Sequence, residues 1–98
     1  MTSLLLIVTV IGVGGPPHGV PSKLSDATVM VTRGVPAERV AESTNGQIDV
    51  RLARGLYTVA ALLRDEPGRP ARFCEAAAID VVRREPRVEH MTLRCSIK

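Results

Sequence analysis

The sequence has almost no aromatic residues: no Trp, one Phe and one Tyr among 98 residues. The core must therefore be built from Val, Leu, Ile and Ala, and the aromatic platforms on which nucleic-acid bases stack are missing. Lysine is also scarce, since eleven of the thirteen basic residues are Arg, and these are interleaved with acids instead of forming a block. A mixed, solvated surface is expected, and nucleic acid is not expected as a partner.

Motifs that carry chemistry are also missing. There is no CxxC pair, no Cys/His spacing typical of metal ligands and no G-x-S-x-G elbow. The Gly-rich run at 12–15 is not followed by a helical pattern, so a phosphate-binding loop is not supported. His18 sits in a Gly/Pro-rich loop and His90 on an outward strand position, which does not favour a catalytic pair. The sequence predicts no catalytic residue, no metal and no cofactor.

The longest apolar run, Leu4 to Ile11 (LLLIVTVI), is too short to cross a bilayer, which takes about 20 residues. Its β-branched content favours a strand. The alternative is that residues 1–14 are a signal peptide, because Gly12 and Gly14 are small residues of the kind found at cleavage sites. No Lys or Arg precedes the run, as a signal peptide normally requires. No membrane span is predicted, and both interpretations stay open.

Beyond a loop over Gly12–Ser25, apolar and polar residues alternate with the period of two that is typical of strands. A single helical turn competes at 38–43, and a bulge is expected at Ala76–Ala78, where alternation fails. Turn residues recur at roughly 8 to 12 residue spacing, as in β-sandwiches. With the first run, the seven predicted strands are Leu4–Ile11, Ala27–Thr32, Glu38–Ser43, Gln47–Ala53, Tyr57–Leu63, Phe73–Val82 and Val88–Ile97.

The predicted fold is therefore all-β: one domain over residues 1–98, a seven-stranded antiparallel Greek-key β-sandwich of immunoglobulin-like or prealbumin-like type. Asn45 and Gly46 lie between two alternating segments, and Asn-Gly accepts the positive φ angles of a tight hairpin. Gly55 marks the next turn. In the strand that begins at Gln47, every second residue is apolar, a pattern that excludes a helix.

The stretch from Thr44 to Val59 (TNGQIDVRLARGLYTV) resembles the signature of carboxypeptidase-regulatory-like and other prealbumin-like (transthyretin-like) domains. Those domains have an Asn or Asp with Gly, a short amphipathic strand and a Gly-x-Tyr-x-Val step. Here Arg54 stands where the family usually has Pro. Upstream, the stretch from Asp26 to Val31 (DATVMV) resembles the Gly-Ala-x-Val-x-Val strand of the family, with Asp26 where Gly is usual. The resemblance implies a secreted or surface-attached accessory module, and it gives Tyr57 a structural role: a buried ring whose hydroxyl bonds a nearby backbone group.

Cys74 and Cys95 lie on the last two predicted strands. An antiparallel hairpin centred on Arg84 and Glu85 would set them nearly opposite each other, compatible with a disulfide. The alternatives are two free buried thiols or a metal or redox role. A bridge would indicate an oxidising compartment.

These patterns favour a non-catalytic β-sandwich module of an exported or surface protein, used for binding, adhesion or spacing, with an unknown protein or carbohydrate partner. A small hydrolase or metal-dependent enzyme is the first alternative, with its site in the Gly12–Ser25 loop near His18. The second is a cytoplasmic partner-binding domain with reduced cysteines. The sequence does not indicate an oligomeric state.

Overall fold

The computed structural model describes residues 4–13, 22–64, 68, 70–82 and 87–96, and within them all regular structure is strand. Seven strands have six to ten residues, and a two-residue strand, β2, lies in the loop after the first. In chain order the strands are β1 (Leu4–Val13), β2 (Ser22–Lys23), β3 (Ala27–Arg33), β4 (Glu38–Ser43), β5 (Gln47–Leu52), β6 (Gly55–Leu63), β7 (Arg72–Val81) and β8 (Arg87–Ser96).

Sheet A is organised around β1, which is paired along both of its edges. β5 runs antiparallel to it, from Leu4 opposite Leu52 to Thr9 opposite Gln47. β2 continues the same side, and β8 covers the other side along the whole of β1. The first strand of the chain is therefore an interior strand of its sheet.

Sheet B has the order β4-β3-β6-β7, and all of its pairs are antiparallel. Two of its pairs, β3–β4 and β6–β7, are consecutive in the chain. The links β2–β3, β4–β5, β5–β6 and β7–β8 instead pass from one sheet to the other. An all-β fold of two packed sheets is thus confirmed.

Two details of the predicted architecture are wrong. The sandwich is not purely antiparallel, because β1 and β8 run parallel, from Leu4 beside Arg87 to Val13 beside Ser96. Side chains alternate in the same way in both kinds of ladder, so the sequence pattern does not reveal strand direction. The loop predicted over Gly12–Ser25 is also shorter than expected, since β1 extends to Val13 and pairs with β2.

The core lies between the two inner sheet faces, and every residue in it is apolar. No polar or charged residue is buried within the described ranges. Burial of each large aliphatic side chain contributes about 1.5–3 kcal/mol. The buried residues are Leu4, Leu6, Val8, Val10, Ala27, Val29, Val31, Ile48, Leu52, Tyr57, Val59, Ala61, Leu63, Ile79, Val81, Leu93 and Cys95.

The bulge in β7 lies at Cys74 and not at Ala76–Ala78. Glu75 pairs with Ala61 and Phe73 with Leu62, which leaves Cys74 as the extra residue. An extra residue shifts the alternation of everything before it. Strict alternation would place Phe73 on the same side as Ile79 and Val81, but because of this shift Phe73 is 61% exposed.

Candidate functional site

The Cys74–Cys95 pair joins the two sheets at one corner of the sandwich. Cys74 is on β7 in sheet B and Cys95 on β8 in sheet A, with the Cα atoms 4.9 Å apart and the sulfurs 2.07 Å apart, a disulfide distance. Stacked sheets are normally about 10 Å apart. The bulge at Cys74 brings this residue to the inner side of β7, where its side chain meets Cys95.

The hairpin register that predicted this pairing is only half correct. β7 and β8 do not form a ladder, because β7 pairs with β6 and β8 with β1. They nevertheless pass one another in opposite directions, and the side chains meet in the expected order. Arg72 reaches the Ser96 carbonyl at 2.9 Å, and the Arg94 backbone N–H donates to Glu75 Oε1 at 3.2 Å.

These two contacts also cover the open edge of β8. An unpaired strand edge presents backbone N–H and C=O groups that can pair with another chain. Near Cys95, the Glu75 carboxylate accepts from one such N–H and the Arg72 guanidinium donates to one such C=O. Neither residue was singled out from the sequence, where both look like ordinary solvated charges.

A second corner is built on Gly46, where β4 of sheet B passes into β5 of sheet A. The predicted hairpin at Asn45-Gly46 is therefore wrong, although the positive φ is present, at 76°. Gly46 N–H donates to the Ala27 carbonyl at 2.8 Å, and its own carbonyl accepts from the Val10 N–H at 2.9 Å. A Cβ at this position would lie 1.6 Å from the Leu24 carbonyl oxygen, so only glycine fits.

Asn45 holds the outer part of this corner with its side chain. Its Oδ1 accepts from the Gln47 backbone N–H at 3.3 Å and lies 2.6 Å from the Ser43 hydroxyl. Lys23 also donates to the Gln47 side chain. Asn45, Gln47 and Asp49 line a shallow, open depression of about 300 Å³. Its polar lining makes this a hydrated part of the surface.

A third corner, between β5 and β6, is closed by Gly55 and Tyr57. Tyr57 is 2% exposed, and its hydroxyl donates to the Ala53 carbonyl at 2.9 Å, as expected for a core tyrosine. Gly55 has a φ of 154° and packs against the Tyr57 ring. The Arg33 guanidinium lies 5.9 Å from the ring centroid on the side of β3.

The outer face of sheet B is largely uncharged across three strands. Its charged residues lie at the margins: Arg39 and Glu42 on β4, which form an ion pair at 2.8 Å, and Asp80 on β7. Leu56 is 63% exposed on this face. We call the uncharged set the sheet B face. It consists of Thr28, Met30, Thr32, Leu56, Thr58, Ala60, Leu62, Phe73, Ala76 and Ala78.

The outer face of sheet A differs from the sheet B face because charged residues lie close to its centre. Its centre is apolar, because β1 contributes alternate residues that are half-buried. Charged neighbours flank three of these five residues, and the aliphatic stems of Arg and Lys can cover apolar surface. Across the sheet, Leu5 lies between Arg51 and Val88, Ile7 between Asp49 and His90, and Ile11 between Lys23 and Arg94.

Of the two histidines, only His90 lies within the described residues. His90 is exposed on the outer face of β8, and His18 lies outside the described residues, as does most of the loop proposed for an enzyme site. Within the described ranges no three His, Cys, Asp or Glu side chains converge as a metal site would require. No helix long and apolar enough to cross a bilayer occurs in that part of the chain.

Comparison with protein-family models, with curated proteins and with solved structures gives no match for this chain. The resemblance to carboxypeptidase-regulatory-like and prealbumin-like domains is thus supported only at the level of a two-sheet, all-strand architecture. The family assignment stays a prediction. The candidate functional elements are the corner at Cys74 and Cys95 and the sheet B face.

Proposed function

We propose that this chain is a non-catalytic β-sandwich module of an exported or surface protein, and that it serves in binding or spacing. The observation that carries the proposal is the pair Cys74 and Cys95, at disulfide distance between the two sheets. Disulfides form and persist in oxidising compartments and are rare where glutathione keeps thiols reduced. A small domain whose core contains a single aromatic residue, Tyr57, also gains stability from such a cross-link.

The parallel first and last strands support a spacing role. Leu4 lies beside Arg87 and Val13 beside Ser96, so β1 begins at one end of sheet A and β8 finishes at the other. At about 3.3 Å per residue, Leu4 and Ser96 are separated by roughly 30 Å. Chain joined to either end would leave the module in opposite directions, as in a linear array.

The sheet B face supports a binding role. Association requires charged groups to lose water, and this cost is small on a surface whose centre carries no charge. Leu56 and Phe73 add apolar area that is already exposed. We therefore place the binding surface on sheet B, and assign the charged flanks of sheet A to solvent.

Thiol mapping of the natively expressed protein tests the proposal. Cells are fractionated, the protein is denatured without reductant in the presence of an alkylating reagent, and its mass is measured. We expect it outside the cytoplasm with no thiol modified, and with two modified thiols after reduction. A Cys74→Ala/Cys95→Ala variant, which has no thiol, controls for reagent specificity.

Recovery of the protein from the cytoplasm with both thiols alkylated would contradict the proposal and favour the partner-binding domain with reduced cysteines. The same mass measurement reports the mature N-terminus. It therefore also separates the strand interpretation of residues 1–14 from the signal-peptide interpretation.

A further inference from the structure

The C-terminal half of β7 is an open sheet edge without the features that normally protect one. Residues 76–79 are Ala-Ala-Ala-Ile, and the pairing of β7 is with β6 alone. Natural edges are guarded by charges, bulges, proline or a covering segment. Within the described residues, 76–81 have none of these apart from the charge of Asp80.

The other long edge strands, β4, β5 and β8, are protected, and β2 has only two residues. β4 has a register shift opposite Val31 and the ion pair of Arg39 and Glu42. β8 is covered near Cys95 by side chains of β7, and its first half carries charged residues. On β5 the residues that face outward include Asp49 and Arg51. The contrast marks β7 as the edge open to a further strand.

We propose that a second copy of this chain occupies this edge, with β7 antiparallel to β7 of the other copy and the twofold axis at Ala78. An isologous pair of this kind is closed, so it ends at a dimer. The inference goes beyond the proposed function, since it depends neither on the cellular compartment nor on another partner.

The side chains of β7 match themselves in this register. Ala78 faces Ala78 of the second copy, Ala76 faces its Asp80, and Ala77 faces its Ile79. Residues that face one another belong to the same side of the sheet, so the inner row of one copy continues into the inner row of the other. The two Asp80 carboxylates are about 14 Å apart, so no like charges oppose each other.

Neighbouring registers are worse. An axis at Ile79 places the two Asp80 carboxylates diagonally, about 7–8 Å apart, where like charges repel. An axis at Ala76 or Ala77 extends the pairing through the bulge at Cys74. Phe73 would then oppose Ile79 or Val81, and both face the other side of the sheet. Ala78 is the axis that avoids both.

The dimer joins two four-stranded sheets into one sheet of eight strands. The sheet B face of each copy then continues into that of the other, with Ala76 and Ala78 at the junction. Exposed apolar residues beside the edge, Leu56 and Val82, come to lie near the second copy.

Light scattering coupled to size exclusion tests the dimer over a range of concentrations. We expect the full chain to approach twice its 10.5 kDa mass as concentration rises. Ala78→Lys places two ammonium groups at the axis and is expected to give a monomer. Thr58→Lys is the matched control, because Thr58 pairs with Ala78 in the same row of the sheet B face and should leave the dimer intact.

Cysteine cross-linking tests the register. Opposed residues of antiparallel strands have Cα atoms about 5 Å apart, within the range of a disulfide. Ala78→Cys should therefore yield a covalent dimer on mild oxidation. Thr58→Cys should not, because the two Thr58 positions are three strand spacings apart, about 14 Å. A dimer formed through the two sheet B faces would instead cross-link at Thr58→Cys and not at Ala78→Cys.

Three outcomes would overturn the inference: a monomeric wild type at the highest soluble concentration, a dimer that survives Ala78→Lys, or cross-linking at Thr58→Cys as efficient as at Ala78→Cys. Circular dichroism and a thermal transition matching those of the wild type establish that Ala78→Lys is folded, so its loss of the dimer is not a loss of structure.

Discussion

The two sheets bury similar aliphatic inner faces, yet their outer faces and edges differ. Sheet A has an apolar strand, β1, at its centre, and charged neighbours flank it on both sides. Sheet B has uncharged residues across three strands and an unprotected edge at 76–81. Sheet A organises the core around β1, and we propose that sheet B provides the surface for interaction with another molecule.

The largest expected effect is on the interior of sheet A. Val8 is fully buried between Ile48 and Met91. Val8→Asp leaves an unpaired carboxylate in the core, which costs several kcal/mol against a total stability of about 5–15 kcal/mol. We expect no cooperative thermal transition in a far-ultraviolet circular dichroism melt.

Thr9→Asp is the matched control, because Thr9 is the next residue of β1 and faces outward between Gln47 and Thr92. It should melt cooperatively, with a loss of no more than about 1 kcal/mol. Equal losses at Val8 and Thr9 would contradict the alternation in which β1 buries one face and leaves the other only half-buried.

The second effect is at the Gly46 corner, where the chain passes from sheet B to sheet A. Gly46→Ala combines a positive φ, which costs about 1–2 kcal/mol for a residue with a Cβ, with overlap on the Leu24 carbonyl oxygen at 1.6 Å. We expect a loss of about 4 kcal/mol or more in urea denaturation.

Gly68→Ala isolates the backbone part of that loss, since Gly68 has a φ of 82° and nothing within 4 Å of an added Cβ. It should cost only about 1–2 kcal/mol. If both substitutions cost the same, the close approach of Leu24 to Gly46 does not contribute.

The third effect concerns the cross-link between the sheets. Cys74 and Cys95 are separated by 21 positions, and closing a loop of that length is worth about 3 kcal/mol. Cys74→Ala/Cys95→Ala should lose about this amount in urea denaturation. Dithiothreitol should lower the free energy of unfolding of the wild type by a similar amount and leave that of the variant unchanged. A wild type whose stability is insensitive to reductant would argue against a bridge.

The smallest effect is at the β5–β6 corner. Tyr57→Phe removes the hydrogen bond to the Ala53 carbonyl, with an expected loss of about 1 kcal/mol. Arg33→Met removes the guanidinium from the Tyr57 ring and should cost less, about 0.5 kcal/mol. Chemical denaturation of both variants measures the order. A greater loss at Arg33 would mean that the ring contact, and not the hydroxyl, stabilises this corner.

Strand positions were predictable because burial is local information. All seven long strands begin and end within a few residues of their predicted bounds, since alternation marks each inner face directly. The wrong prediction of a hairpin at Asn45-Gly46 shows what local sequence information does not determine. A positive φ is compatible with a hairpin and with a passage between sheets, and the choice depends on Leu24 and Val10, which are distant in sequence.

The candidate site was predictable only in part, for the same reason. The order of contacts around Cys74 and Cys95 follows from two strands running in opposite directions, which the sequence indicates. The bulge at Cys74 and the contacts of Arg72 and Glu75 depend on sheet membership, and alternation does not encode it. The sheet B face likewise became visible only once β3, β6 and β7 were known to be neighbours.

The parallel pairing of β1 with β8 has a mechanical consequence. Tension applied to the two ends of the chain pulls β1 at Leu4 and β8 at Ser96 in opposite directions along their shared ladder. The ladder bonds are then loaded together in shear, because they lie across the direction of the pull and cannot open one after another. Joined in series, such modules would resist extension until a whole ten-residue ladder gave way at once.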